Sequence, residues 1–353
     1  MASPDQSIID ESWAADDLDQ VDACPYCGST GRNVAYRETQ DWSFYCAPGK
    51  WTYWDCSDCG TLYLNPRPSK ESIGRAYSTY YTHGVSNLYK ALSLGKSLVR
   101  NLCYLAWYGI ELRPSIALPK FLFPLLSVFR NRIAAPSFIL QELHRLPKGR
   151  VVDVGCGDGM FLDVAKQFGW HTLGIEVDPE AAKVVRASGH EVVQNTYEAL
   201  AAFDNEIDCI ICSHVLEHVH DPKALFFAMS EALKLGGVVL LSLPNAGSIV
   251  RSAVSDNWRG LEAPRHLVIP RYEGLLEAAR LFGFEKKFST ISRFETLDAS
   301  LLIAQRRGID TPDFCAGVAR LQTVKDSVTE VNSDFINVVL RKVSVPTLPS
   351  KTP

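Results

Sequence analysis

The stretch VVDVGCGDGMFL, residues 151 to 162, constrains the fold of this 353-residue chain more than any other. Val151, Val152, Val154 and Phe161 surround two acids and three glycines, and Gly155, Gly157 and Gly159 alternate with Cys156 and Asp158. A buried strand thus runs into backbone stripped of side chains. Glycines there permit unusual dihedrals and let a ligand touch the main chain. The plain alternative is a tight strand-to-helix turn that holds nothing.

From residue 150 onward, short apolar runs alternate with amphipathic ones. VVDV, HTLGIEV, EVVQ, IDCIIC, GVVLLSL, FEKKFSTIS and DFINVVLRK read as strands, and most segments between them as helices. Asp178-Pro179 and Asp221-Pro222 are strong helix starts, with an acceptor at the cap and proline at the first helical position. The alternation predicts a doubly wound, mostly parallel α/β sheet over 147–342. Residues 293–333 interrupt the last two strands and read as a helical insertion. Open α/β sheets bind ligands beyond the carboxyl ends of their strands. A dinucleotide turn would read G-x-G-x-x-G. Here the third glycine arrives one residue early and Met160 follows it. Glu176 ends HTLGIEV, where a carboxylate can accept both hydroxyls of a ribose.

The N-terminal half is different. Residues 1–20 carry Asp5, Asp10, Glu11, Asp16 and Asp17 and are expected to be a disordered acidic tail. CPYCGS at 24–29 and CSDCGT at 56–61 give two C-x2-C knuckles within 21–68. Four thiolates in that pattern match a tetrahedral, structural Zn2+ site on Cys24, Cys27, Cys56 and Cys59, with no open coordination position. Trp42, Phe44, Trp51, Tyr53 and Trp54 fit the strands of a zinc-ribbon hairpin between the pairs. Residues 69–146 read as helical, and 85–150 hold ten Lys/Arg against two Glu, a net +8 in a chain of net −4. Two readings fit: helices packed over the catalytic sheet, or a basic amphipathic surface in peripheral contact with an anionic membrane. Residues 343–353 form a tail.

Composition narrows the class. A slightly negative chain gives no global case for nucleic acid. The acidic start lacks the features of a signal peptide, and no run of about 18 uncharged apolar residues is present. Ten cysteines in a chain of this length without a secretion signal point to reduced thiols and a cytoplasmic location.

The set VVDVGCGDG, GIEVD, IDCIICSHVLEHVHDP and LKLGGVVLLSLPN resembles the class I S-adenosylmethionine-dependent methyltransferases. More narrowly it is similar to the subgroup around ubiquinone-biosynthesis O-methyltransferases and the methyltransferases of polysaccharide gene clusters, and many sugar and glycan methyltransferases carry a similar cysteine-paired module. Leu235 departs from the proline usual in that subgroup's LKPGG turn. The resemblance implies a seven-stranded Rossmann-like sheet with an S-adenosylmethionine cleft. Asp153, Gly155, Cys156 and Gly157 would line the methionine part, and Glu176 would hold the ribose. Asn195 and Thr196 would sit near the adenine, and Ser213 and His214 beneath the sulfonium. His266, in WRGLEAPRHLVIP after the fifth strand, is the first choice for a catalytic base. His218 and His214 are its rivals. The function expected is O-methylation of a small-molecule, sugar or lipid-linked glycan acceptor. C- or N-methylation of a nucleotide-linked sugar or quinone-like substrate, and a non-catalytic S-adenosylmethionine-binding protein, are the alternatives. The acceptor and the oligomeric state are left open.

Overall fold

The computed structural model describes residues 6–77, 107–108 and 137–346. Most of the basic stretch 85–150 lies outside the described residues, as does the tail from 347. Among the described residues, no helix is long and apolar enough to cross a membrane.

Strands come in chain order as β1 (Leu18–Asp19), β2 (Arg32–Thr39), β3 (Trp51–Cys56), β4 (Leu62–Leu64), β5 (Arg67–Pro68), β6 (Arg150–Val154), β7 (His171–Glu176), β8 (Glu191–Gln194), β9 (Ile207–Ser213), β10 (Leu233–Pro244), β11 (Val268–Ile269), β12 (Phe284–Ile291) and β13 (Phe335–Lys342). Seven of them form the expected mostly parallel sheet, in the order β12-β13-β10-β9-β6-β7-β8. Strands β6 to β10 pair in parallel, and β13 runs against both β10 and β12. The chain winds outward from β6 to β8, then returns to β9 on the other side of β6. That reversal opens a crevice at the carboxyl ends of β6 and β9.

Alternating side chains give the sheet two apolar faces. Val152, Val154, Ile210 and Cys212 pack with helices Pro222–Ala232 and Tyr272–Leu281 on one side. Val151, Cys209 and Ile211 pack with helices Phe138–Arg145 and Met160–Gln167 on the other. Both Asp-Pro starts are capped as expected. Asp178 Oδ1 accepts from the N–H groups of Glu180 and Ala181, each at 2.8 Å, and Asp221 Oδ1 from Ala224 at 3.0 Å. Helices Leu297–Arg306 and Pro312–Val324 lie between β12 and β13.

The N-terminal part departs from the sequence reading in three ways. The acidic tail is packed from residue 6 onward: Ile9 and Trp13 are buried, and β1 pairs with β5. Asp10, Glu11 and Asp16 stay at the surface while Trp13 stacks edge-on against Trp51, so local composition understated its anchoring. Trp42 and Phe44 sit in the loop after β2 rather than on a strand. The cysteine module is also not closed on itself. Its sheet, β11-β4-β3-β2, takes its edge strand β11 from residues 268–269, just beyond His266. A shared core of Trp51, Tyr53, Leu62 and Leu64 with Val250, Trp258, Leu261 and Leu267 seals that junction.

Candidate active site

The glycine turn sits at the mouth of the crevice. Gly155, Gly157 and Gly159 all have positive φ, at +69°, +53° and +81°. The N–H groups of Gly155 and Cys156 bond to the Ile175 carbonyl at 2.8 and 3.1 Å, strapping the turn to β7. A Cβ on Gly155 would come within 2.7 Å of Val215 Cγ2. Glu176 holds the turn from the neighbouring strand. Its Oε2 accepts from Gly157 N–H at 2.8 Å and its Oε1 from Asp178 N–H at 2.9 Å.

Beneath the turn, Asp153 is buried, and its Oδ2 has no hydrogen-bond partner among the described residues. Burial, followed by the charges of Glu176 and Asp158, pushes its pKa well above the usual carboxylate range. A buried acid with an unanswered oxygen beside exposed backbone fits a cationic ligand group such as an amino acid's ammonium. Cys156 is buried and its thiol pKa is pushed up by burial, so it packs as an apolar residue.

A cavity of about 330 Å³ opens here, lined by Gly155, Ile175, Val177, Asn195, Thr196 and Val215. Asn195 Oδ1 accepts from Thr196 N–H at 2.7 Å, and Thr196 caps the following turn. Lys70, Ile73 and Tyr77, from the segment after the cysteine module, form the facing wall. They were missed in the sequence, where nothing marks them as neighbours of a glycine turn eighty residues on.

A second cavity, of about 390 Å³, lies beside the first and shares His218 with it. Its walls carry His214, Arg259, Glu262, His266, Glu295 and Phe335. Ser213 ends β9 half-buried and is not among the residues lining either cavity. His214 has φ +56° and packs edge-on against Phe335. Its Nδ1 is 3.2 Å from Glu217 Oε1. Partial desolvation by the cavity walls opposes protonation of His214, whose side chain is 48% exposed, but the bond and charge of Glu217 outweigh it and raise the pKa. His218 presents Nδ1 at 3.0 Å to the Arg265 carbonyl and at 3.0 Å to Tyr77 Oη.

His266 is buried, and its Nδ1 is 2.7 Å from the Gly260 carbonyl. A carbonyl only accepts, so Nδ1 carries the proton and Nε2 keeps its lone pair. That Nε2 is 3.6 Å from Glu262 Oε2, and the His266 ring meets the His218 ring edge-on at 4.6 Å. Burial drives the His266 pKa down to about 4 despite the opposing charge of Glu262. Glu262 is itself nearly buried. Burial would raise its pKa, but His266, Arg259 and Arg265 bring it far below the ordinary value. Glu295, also missed in the sequence, is pushed up to about 7 by burial and by Asp334.

The four module cysteines converge. Cys24, Cys27, Cys56 and Cys59 place their sulfurs within 4.8 Å of one another. The Cys24–Cys59 and Cys27–Cys56 sulfur separations are 3.6 and 3.5 Å. Zinc–sulfur bonds of about 2.3 Å in a tetrahedron set sulfurs about 3.8 Å apart, so the donor set fits.

The strand-reversal crevice, the glycine turn with positive φ and the acid closing the second strand belong to a Rossmann-like methyltransferase fold. Residues 129–287 match a family model described as a methyltransferase domain. The chain is 36% identical over 107 residues to the ubiquinone biosynthesis O-methyltransferase of Xanthomonas campestris, covering 28% of this chain and 45% of that protein. The same identity and length relate it to the enzyme of that name from Xylella fastidiosa, with 28% and 44% covered. The match thus spans less than half the length of these curated relatives. Among solved structures, a SAM-dependent methyltransferase from Archaeoglobus fulgidus is similar with TM-score 0.41 and 17% identity, over 61% of this chain and 99% of that one. The cyclopropane synthase MmaA2 of Mycobacterium tuberculosis gives 0.40 and 19%, over 58% and 82%.

Proposed function

We propose that the protein is an S-adenosylmethionine-dependent methyltransferase acting on a hydroxyl of a small-molecule, sugar or lipid-linked glycan acceptor. One observation carries this reading: the cavity beside Gly155 shares the wall residue His218 with a second cavity lined by imidazoles and carboxylates. The first suits the cofactor and the second suits a hydroxylated acceptor. S-adenosylmethionine supplies an electrophilic sulfonium methyl group when bound.

The chain's own groups do the rest. Asp153, Gly155, Cys156 and Gly157 would hold the amino-acid part, Glu176 the ribose, and Asn195 and Thr196 the adenine. His214, on the wall of the second cavity, would lie near the sulfonium, and Ser213, which lines neither cavity, would support it from the end of β9. His266 is neutral at pH 7, so its bare Nε2 can accept the proton of a positioned hydroxyl as the new oxygen–carbon bond forms. Glu262, 3.6 Å away, favours the imidazolium that results. Enclosure of the acceptor aligns it and excludes water. The polysaccharide assignment rests on the sequence resemblance alone. Zn2+ on the four module cysteines would be structural, since thiolates fill every coordination position.

The test is formation of S-adenosylhomocysteine with hydroxylated acceptors, identified by mass spectrometry of any ligand that co-purifies. His266→Ala should lower turnover by about 10²–10⁴ and leave S-adenosylhomocysteine affinity nearly unchanged. Full turnover in that variant, with loss in His214→Ala or His218→Ala, would move the base to the end of β9.

A further inference from the structure

Arg265 lies at the centre of a buried charge network between the cysteine module and the second cavity. Its side chain and that of Asp41 are both 0% exposed. Arg265 Nη2 donates to Asp41 Oδ1 at 2.6 Å and Nη1 to Asp41 Oδ2 at 3.1 Å, a two-pronged contact. Its Nε donates to Glu262 Oε1 at 3.1 Å. Arg259 donates to the other oxygen of Glu262, the one that faces His266. The four charges cancel, two of each sign.

Asp41 is itself fixed by its loop. Its carboxylate accepts from the N–H groups of Phe44, Cys46 and Ala47 at 2.9 to 3.1 Å. Phe44 of the same loop spreads its ring under both guanidinium groups, 4.8 Å from Arg259 and 5.0 Å from Arg265. Neither Asp41 nor Arg265 lines the cavity, whereas Glu262, Arg259 and His266 do.

We propose that Asp41, in the cysteine module, is a positioning residue of the second cavity: by occupying the fork of Arg265 it fixes Glu262 against His266. Glu262 then receives only the Nε of Arg265 and keeps its second oxygen toward the imidazole. Without Asp41, a buried guanidinium loses its main partner, a state that buried ions tolerate poorly. The Ala76 carbonyl and the Cys46 sulfur also face Nη1, but the other carboxylate in contact is Glu262, which would be drawn into the fork and away from His266. A module that only braced the domain would leave the His266 ring unchanged when Asp41 was replaced.

The test uses the full-length protein labelled with ¹⁵N-histidine, with the His266 ring signals assigned by their loss in His266→Gln. At pH 7, Asp41→Asn should shift the His266 signals in the same direction as Glu262→Gln, with module metal content retained. The double variant Asp41→Asn/Arg265→Gln, which leaves no fork to draw Glu262 away, should shift them no further than Arg265→Gln alone. Unmoved His266 signals in folded Asp41→Asn would overturn the proposal. So would unmoved signals in Glu262→Gln, or failure of both Asp41 variants to fold, which would make Asp41 a structural tie only. The proposal rests on the methyltransferase reading for its meaning, but the measurement needs neither cofactor nor acceptor. Failure of S-adenosylhomocysteine to bind would sink that reading and leave this result standing.

Discussion

Glu176→Ala removes a carboxylate that braces the glycine turn and that we propose also holds the ribose of the cofactor. β7 delivers it beside the glycine turn, 7% exposed, with one oxygen on Gly157 N–H and the other on Asp178 N–H, at 2.8 and 2.9 Å. Each carboxylate oxygen has two lone-pair positions, so bracing the turn leaves acceptor capacity for ribose hydroxyls. A hydrogen bond to a charged group contributes about 1.5–3 kcal/mol, and the hydroxyl contact should be lost in full. The variant should therefore bind S-adenosylhomocysteine roughly ten- to hundredfold more weakly. The two released N–H groups add a separate stability loss of about 1–3 kcal/mol. Glu176→Gln, which keeps the shape and one acceptor, should fall between the two. Calorimetry reads the affinity and urea denaturation the stability. A folded Glu176→Ala protein that binds S-adenosylhomocysteine as tightly as the parent would refute the assignment of this carboxylate to the ribose.

Two further outcomes are expected. Cys56→Ser should abolish stoichiometric zinc in the purified protein and unfold the module, because ligand binding supplies folding energy there; one zinc per chain after the change contradicts the site. His266 is held at a pKa of about 4, below the ordinary value, so the neutral ring stabilises the fold above about pH 6.5 and that contribution is lost as pH falls toward 4. The loss amounts to about 3 kcal/mol by pH 4, so the parent should lose stability between pH 7.5 and 4.5 more steeply than His266→Gln in urea titrations. Equal slopes would mean that the ring is not buried neutral.

The sheet was legible because its signals are local. Alternation of Val151, Val152 and Val154 sets the two faces of β6, and Asp178 and Asp221 cap helices within three residues of themselves. Glu176 and the glycines could be brought together because strand order places consecutive tips side by side. The unusual Leu235 cost nothing to the reading, since its side chain is 70% exposed beside Gly236 at φ +85°. What the sequence hid depends on long-range pairing. Tyr77 meets His218 across 141 residues, and Asp41 meets Arg265 across 224. Both partners look like ordinary surface residues until the fold removes their solvent. The acidic start misled for the same reason. Six acids dominate its composition, while Ile9 and Trp13 decide where it goes. Glu295 carries no motif, and only its cavity and the nearby Asp334 single it out.

The central claim is that the crevice at β6 and β9 is built for S-adenosylmethionine and not for a dinucleotide. Titration calorimetry of the full-length protein with S-adenosylhomocysteine and, separately, with NAD tests it most directly. One S-adenosylhomocysteine per chain and no measurable NAD binding is the result predicted from the early third glycine and the Glu176 contacts. Tight NAD binding with no response to S-adenosylhomocysteine would contradict it.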